Sequence, residues 1–290
     1  MFRRKPPASK ARTASSHWID GPSEMARSAM AYFNTPDLSQ KRVLDKIAGW
    51  VPFASVADFG TGRGAWLKAA LDRGVTDVTG YDIPEIDVSQ RMFPADRFIP
   101  ADLGKPLALD RRFDLAISTE VAEHLPYEHA ATFIAIVGQA SDLVLFSAAI
   151  PYQEGAGHVN ENWVEYWVRL FQPLGFACYD VLRMPLWNDA SIRSYYRQNL
   201  LVFARATAAE TLERHGLSAT AMPPSLVHPE QYLKAVGRAL PPEMATVGAD
   251  VRHYYDCVTK TPAEIDANPN RPTYGRKGIG WGAVRKHLGL

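Results

Sequence analysis

A short apolar run broken by glycines at alternate positions constrains this chain more than any other feature. Val56 to Trp66 reads V-A-D-F-G-T-G-R-G-A-W. Val56, Ala57 and Phe59 suit a buried strand that carries one acid, Asp58. Gly60, Gly62 and Gly64 then lead into a helix-compatible run from Ala65 to Leu71. Strand, glycine turn and helix bring bare backbone to a nucleotide at a helix N-terminus. A β-carbon at such a turn blocks either its dihedrals or the ligand's approach. The loop alone leaves two cofactors open, because Gly60, Gly62 and Ala65 also satisfy the dinucleotide pattern G-x-G-x-x-A.

The acids that follow narrow the choice. Asp82 ends the next strand-like run, Val78 to Tyr81, where a carboxylate can accept both hydroxyls of a ribose. Asp102 ends a third run, Phe98 to Ala101, within reach of an adenine amino group. Phe113 to Ile117 is another buried-strand pattern, and it closes in S-T-E-V-A-E-H-L-P. This ordered set, from about Val51 to Arg205, resembles the class I S-adenosylmethionine-dependent methyltransferases. The resemblance implies that Asp58 and the glycine loop hold the methionine end of the cofactor and Asp82 the ribose. It assigns Asp102 and Leu103 to the adenine and Ile83 to packing on the base. Two segments, Ser147 to Trp163 and Tyr195 to Phe203, are similar to a bacterial branch of small-molecule methyltransferases of sugar, surface-polysaccharide or secondary-metabolite pathways.

Periodicity supplies the remaining elements. Helices are expected at Ser23–Asn34 and Leu38–Trp50, the second on the stripe Val43, Leu44, Ile47 and Trp50. Helices ahead of the first strand either cap the cofactor pocket, through Met25, Tyr32 and Phe33, or serve as core. Strands are expected at 55–59, 77–81, 97–101, 113–118, 142–148, 176–182 and 200–204, with helices at 65–73, 127–140 and 160–174. Pro84 and Pro94 prevent a long helix between the second and third strands. Alternating elements give an α/β fold with a doubly wound, seven-stranded, mostly parallel sheet. The last two strands, joined without a clear helix, suggest an antiparallel pair, and the resemblance adds a reversed seventh strand. The run Trp163, Tyr166, Trp167, Leu170, Phe171 has helical spacing and reads as core rather than as an aromatic platform. Beyond Arg205, prolines separate short helical pieces such as 229–240.

Four parts follow: a basic tail 1–19 expected to be disordered, the cofactor-binding domain with its N-terminal helices at 20–205, a helical extension at 206–267, and a basic Gly-rich tail at 268–290. Each tail carries five Lys and Arg residues and no acid, so a chain of formal charge +1 has a body at −9. An acidic body makes a poor nucleic-acid platform, which needs a basic face on the fold itself. No apolar run approaches the ~20 residues that span a bilayer. With no secretory segment at the N-terminus and two cysteines, Cys178 and Cys257, lacking metal-like spacing, the expected setting is the reducing cytoplasm.

For chemistry, Glu120, Glu123, His124 and His158 are the candidates for moving an acceptor's proton. If Thr119 begins a helical turn, Glu120, Glu123 and His124 project from one face, and His158 after the next strand can converge on them. Two carboxylates and two imidazoles suit a divalent cation such as Mg²⁺. E-x-x-E-H with a later His resembles the metal site of small-RNA 2′-O-methyltransferases, and E-x-x-E-H recurs in ubiquinone-pathway O-methyltransferases. In the metal-free reading Glu120 serves the cofactor's edge, Glu123 and His124 cap a turn, and His158, or else His124, is the base. Tyr152 and Gln153 are expected substrate contacts. The expected reaction is methyl transfer to a hydroxyl, or less often an amine, of a small molecule or sugar. Two other functions stand beside it: a nicotinamide-dependent sugar dehydrogenase or epimerase, and a non-catalytic scaffold acting through its basic tails.

Overall fold

The computed structural model describes residues 38–84 and 90–239. The expected helix at 23–34, the pocket-covering residues Met25, Tyr32 and Phe33, both tails and the end of the C-terminal extension lie outside them.

Eight α-helices and seven strands follow one another along the described residues. Helix α1 (Leu38–Trp50) precedes β1 (Ser55–Phe59), α2 (Ala65–Asp72), β2 (Asp77–Asp82), β3 (Phe98–Pro100) and β4 (Leu115–Thr119). Then come α3 (Ala130–Ala140), β5 (Leu143–Ser147), α4 (Val164–Phe171) and β6 (Ala177–Tyr179). Two short helices, α5 (Arg183–Leu186) and α6 (Ser194–Asn199), lead to β7 (Leu201–Ala204), α7 (Ala206–Arg214) and α8 (Pro229–Ala239). Among the described residues, no helix is long and apolar enough to cross a membrane.

The strands form one seven-stranded sheet in the order β3-β2-β1-β4-β5-β7-β6. β7 alone runs against its neighbours, antiparallel to both β5 and β6. Doubly wound topology and the reversed seventh strand therefore match the expectation. The link between β6 and β7 does contain helices, α5 and α6. They escaped the periodicity because at four and six residues they carry too few turns for an apolar stripe. Several elements are also shorter than expected. The helix at 127–140 opens as a 3₁₀ turn at Tyr127–His129, and that at 160–174 ends as one at Gln172–Leu174. Pro173 and then Gly175, at φ 82°, stop it.

Central strands buried on both faces explain the continuous apolar runs. In β5, Val144 and Phe146 face α3 and α4, while Leu143 and Leu145 face the α1–α2 side. On the first face Phe146, Phe171 and Phe203 meet, the last two stacked with centroids 3.9 Å apart. Trp167 and Phe171 are core as expected, but Trp163 is 40% exposed. Trp163 stands at the N-terminal cap of α4, one residue ahead of the turn that α3 covers.

The chain returns from β3 to β4 on the other side of β1, so the strand order reverses between β1 and β4. In an open α/β sheet, ligands bind outside the carboxyl ends of the strands at this switch point.

Candidate active site

The glycine loop lies at that edge. Gly60, Gly62 and Gly64 have φ of 80°, 53° and 85°, a region that a side chain disfavours. At Gly60 space also forbids one, since a β-carbon would lie 2.3 Å from Val121 Cγ2. Val121 follows β4, so the loops after β1 and β4 touch across the switch point. A second tie joins them, with Trp66 Nε1 donating to Thr119 Oγ1 at 2.7 Å.

Asp58 is 2% exposed, and its carboxylate accepts from Thr61 Oγ1 at 2.9 Å. Burial drives its pKa up to about 7; the Thr61 hydroxyl opposes the shift and the charge of Asp82 adds to it. Asp82, at the end of β2, accepts the N–H of Gly62 and the N–H of Ile83, each at 2.7 Å. It therefore holds the loop from the neighbouring strand. Gly60 and Thr61 donate to the carbonyl of Tyr81 at 2.8 and 3.1 Å. Asp102 turns back on its own loop, accepting from Gly104 N at 3.0 Å and pairing with Lys105 at 2.8 Å. That lysine holds the Asp102 carboxyl below its usual range. Leu103 is 6% exposed and packs in the core, so its side chain is spoken for. Ile83 is half-buried beside Asp82.

The four residues expected to surround a metal separate into a trio and an outlier. Glu120 does not begin a helical turn. Its backbone is left-handed at φ 54°, and the turn that follows is a 3₁₀ turn over Ala122–His124. The one-face spacing therefore does not apply, and the Glu120 carboxylate points elsewhere. It accepts from Gln153 Nε2 at 2.6 Å and from Asn199 Nδ2 at 3.1 Å. Gln198 and Asn199 each donate to Gln153 Oε1, at 3.0 and 2.9 Å, closing an amide cluster. Burial raises the Glu120 pKa, and the amides of Asn199 and Gln153 oppose the rise.

Glu123, His124 and His158 do converge, their donor atoms all within 4.8 Å of one another. The two imidazoles meet edge to face with centroids 4.8 Å apart. Glu123 is fully buried, and neither of its carboxylate oxygens has a hydrogen-bond partner. Burial, reinforced by the charge of Glu120, pushes its pKa well above the carboxylate range. Burial also lowers His124 to about 4, so its ring is neutral at pH 7. His158 Nδ1 lies 2.8 Å from Glu161 Oε1. A cleft of about 360 Å³ opens beside it, lined by Glu154, Gly155, His158, Val159 and Glu161.

Four residues of this site were missed or undervalued in the sequence. Thr61, Gln198 and Asn199 carry no motif of their own. Glu161 is three residues past His158, the only local hint of their pairing.

Comparison with known proteins gives the same reading. The model of the methyltransferase domain family matches residues 24–179, more than half of the chain. No curated protein matches in sequence. Among solved structures, the glycopeptide N-methyltransferase MtfA complexed with sinefungin is 17% identical with a TM-score of 0.44, over 60% of this chain and 96% of that one. The amino pentose methyltransferase CalS10 from Micromonospora echinaspora, with SAM bound, is 14% identical with a TM-score of 0.48, over 61% and 95%. Magnesium protoporphyrin IX methyltransferase from Synechocystis PCC 6803, with bound SAH, is 18% identical with a TM-score of 0.43, over 58% and 84%. The family match decides against the nicotinamide reading of the glycine loop. The chain belongs to the methyltransferase domain family and is an S-adenosylmethionine-dependent methyltransferase.

Proposed function

We propose that this enzyme methylates a hydroxyl of a small molecule or sugar that carries no phosphate, and that a divalent cation at Glu123, His124 and His158 prepares that hydroxyl. The convergence of these three side chains beside the switch point carries the reading. The cofactor's sulfonium supplies a methyl of high intrinsic reactivity, so the protein has mainly to position the acceptor in line and exclude water. Asp58 and the glycine loop hold the methionine end, Asp82 the ribose, and Ile83 the base. Asp102 and the backbone at Leu103 complete the adenine side. The trio fits a cation chemically. Without a cation the buried Glu123 carboxyl, lacking a well-formed hydrogen bond, is held protonated, and a cation would take the place of that proton; a neutral His124 is a ready ligand. Bonds of about 2.1 Å place donors up to about 4.2 Å apart, so the present 4.8 Å needs only a small closing. Bound there, the cation would hold the acceptor oxygen and lower its pKa.

Charge supports the acceptor class. Residues 113–168, which carry both acceptor-side loops, contain eight acids and neither lysine nor arginine. Asp114 and Asp142 stand at the far end of the sheet, the latter paired with Arg112 and Arg205, but Glu154 and Glu161 line the cleft, where negative charge disfavours a phosphorylated acceptor or nucleic acid. Tyr152, 82% exposed and tied through its N–H to Glu161 of the cleft wall, offers a face for a sugar ring.

Titration with Mn²⁺ alone tests the metal, together with SAH release against a panel of neutral, amino and phosphorylated sugars. Mn²⁺ should bind wild type and be lost in His158→Ala and Glu123→Ala. EDTA should stop turnover, with Mg²⁺ or Mn²⁺ restoring it. The His158–Glu161 contact favours a second reading in which His158 is the base without metal. Full turnover in EDTA with no Mn²⁺ binding would establish it.

Asp58 adds a pH test of the cofactor side. Its folded pKa, about 7, lies above the ordinary 3.8, so its contribution to apo stability is complete below 3.8 and declines as pH rises to about 7. The cationic cofactor favours the ionised form. Its affinity should therefore rise with pH up to about 7, by at most about tenfold per pH unit, and then level off. Titration calorimetry of Asp58→Asn should show a flat profile, and an unchanged slope would remove Asp58 from the methionine end.

A further inference from the structure

We propose that Glu161 is a positioning residue that orients His158 with one oxygen and, with both, holds the strained turn that aims Gln153 at Glu120. Oε1 accepts from His158 Nδ1 and from the N–H of Glu154, each at 2.8 Å, and Oε2 accepts from the N–H of Tyr152, also at 2.8 Å. Tyr152 and Glu154 are two of the four described non-glycine residues with positive φ, at 66° and 60°. Each such conformation costs about 1–3 kcal/mol and persists only where its surroundings over-determine it. Glu161 supplies that determination, because its oxygens capture the two N–H groups on either side of Gln153. The amide of Gln153 is thereby directed to Glu120 Oε2 at 2.6 Å and to the cluster with Gln198 and Asn199.

On its other side the same carboxylate selects a tautomer. A carboxylate only accepts, so His158 donates from Nδ1 and leaves Nε2 with its lone pair. The ring edge carrying Nε2 rests on Gly155, where a β-carbon would lie 2.1 Å from Nε2. Of the trio Glu161 touches His158 alone by hydrogen bond, and it makes none to Glu120. It acts through Gln153 and His158, and so links the amide cluster just before β7 to the imidazole after β5.

The inference rests on His158 standing at the acceptor side, as proposed above, but its test does not need the acceptor. In ¹⁵N-labelled full-length protein, with His158→Ala for assignment, wild-type His158 should show a protonated Nδ1 and a bare Nε2. Glu161→Gln keeps one accepting oxygen and turns a donor on the other N–H. It should mix the His158 tautomers and speed amide exchange at Tyr152 and Glu154 at least tenfold. Exchange at Val144 and Leu145, and S-adenosylmethionine affinity within about twofold, should not move. Glu161→Asp should fall between the two. If Glu161→Gln does not fold, glycine at both 152 and 154 relieves the left-handed positions and should restore the fold with the tautomers still mixed. Unchanged tautomer and exchange in a folded variant, or no rescue by the glycines, overturns the proposal. Mixed tautomers with full turnover of an acceptor from the panel would keep the clamp and count against His158 as an acceptor-side group.

Discussion

Asp82→Ala should weaken S-adenosylmethionine binding at least tenfold. Charge-assisted hydrogen bonds contribute roughly 1.5 kcal/mol or more each, and about 1.4 kcal/mol is a factor of ten in affinity. Two donors from the ribose would account for the loss on the ligand side. A second contribution comes from the protein, because the same carboxylate holds the N–H of Gly62 and the N–H of Ile83. Without it, the glycine loop must be ordered by the cofactor itself. Asp82→Asn separates the two effects: one oxygen still accepts, but the amide nitrogen faces a donor, so its loss should be intermediate. Titration calorimetry measures both variants, with circular dichroism confirming the fold. Wild-type affinity in folded Asp82→Ala would remove Asp82 from the ribose position.

The largest stability loss is expected far from the glycine loop, at Arg183. This side chain is fully buried and makes a two-point pair with Asp180, Nε and Nη2 donating at 2.9 and 2.6 Å. Nη2 also reaches the carbonyl of Pro224 at 3.0 Å, which secures the segment before α8. Removing one member of a buried pair leaves the other charge without compensation, at a cost of about 3–5 kcal/mol. Arg183→Ala should lose that much in urea unfolding. Arg183→Lys should recover only part of it, because an ammonium cannot reproduce the planar two-point contact. A loss below about 1 kcal/mol would mean that the pair is not held as described. Nη1 contacts the carbonyl of Gln198 at 3.4 Å, so the alanine variant should also loosen the amide cluster around Glu120.

Where sequence reading succeeded, the physics is local. A glycine turn after a buried strand has few alternatives, because only glycine adopts the left-handed dihedrals found at 60, 62 and 64 without strain. Acids at strand ends keep their place whatever the details of packing, so the positions of Asp58 and Asp82 at the sheet's carboxyl edge were legible. Strand pattern, the stop at Pro173 and Gly175, and the doubly wound order follow from the same short-range rules.

The acceptor side is different. Reading Glu120, Glu123 and His124 as one face assumed a helical turn, and the chain instead takes a left-handed residue and a 3₁₀ turn. That choice belongs to tertiary packing: Val121 fits against the bare Gly60, and the Glu120 N–H donates to the carbonyl of Ser147 on β5 at 2.9 Å. Once Glu120 turns, its partners lie 33 and 79 residues away, at Gln153 and Asn199. Asn199 reaches them only because β7 runs antiparallel and therefore starts at the edge where β4 and β5 end, with Leu201 beside Phe146. No spacing in the chain encodes a meeting of that kind. Elements and the acids at strand ends are written in contiguous residues, whereas the grouping of Glu120 with Gln153 and Asn199 depends on strand direction and on which β-carbon a glycine leaves out.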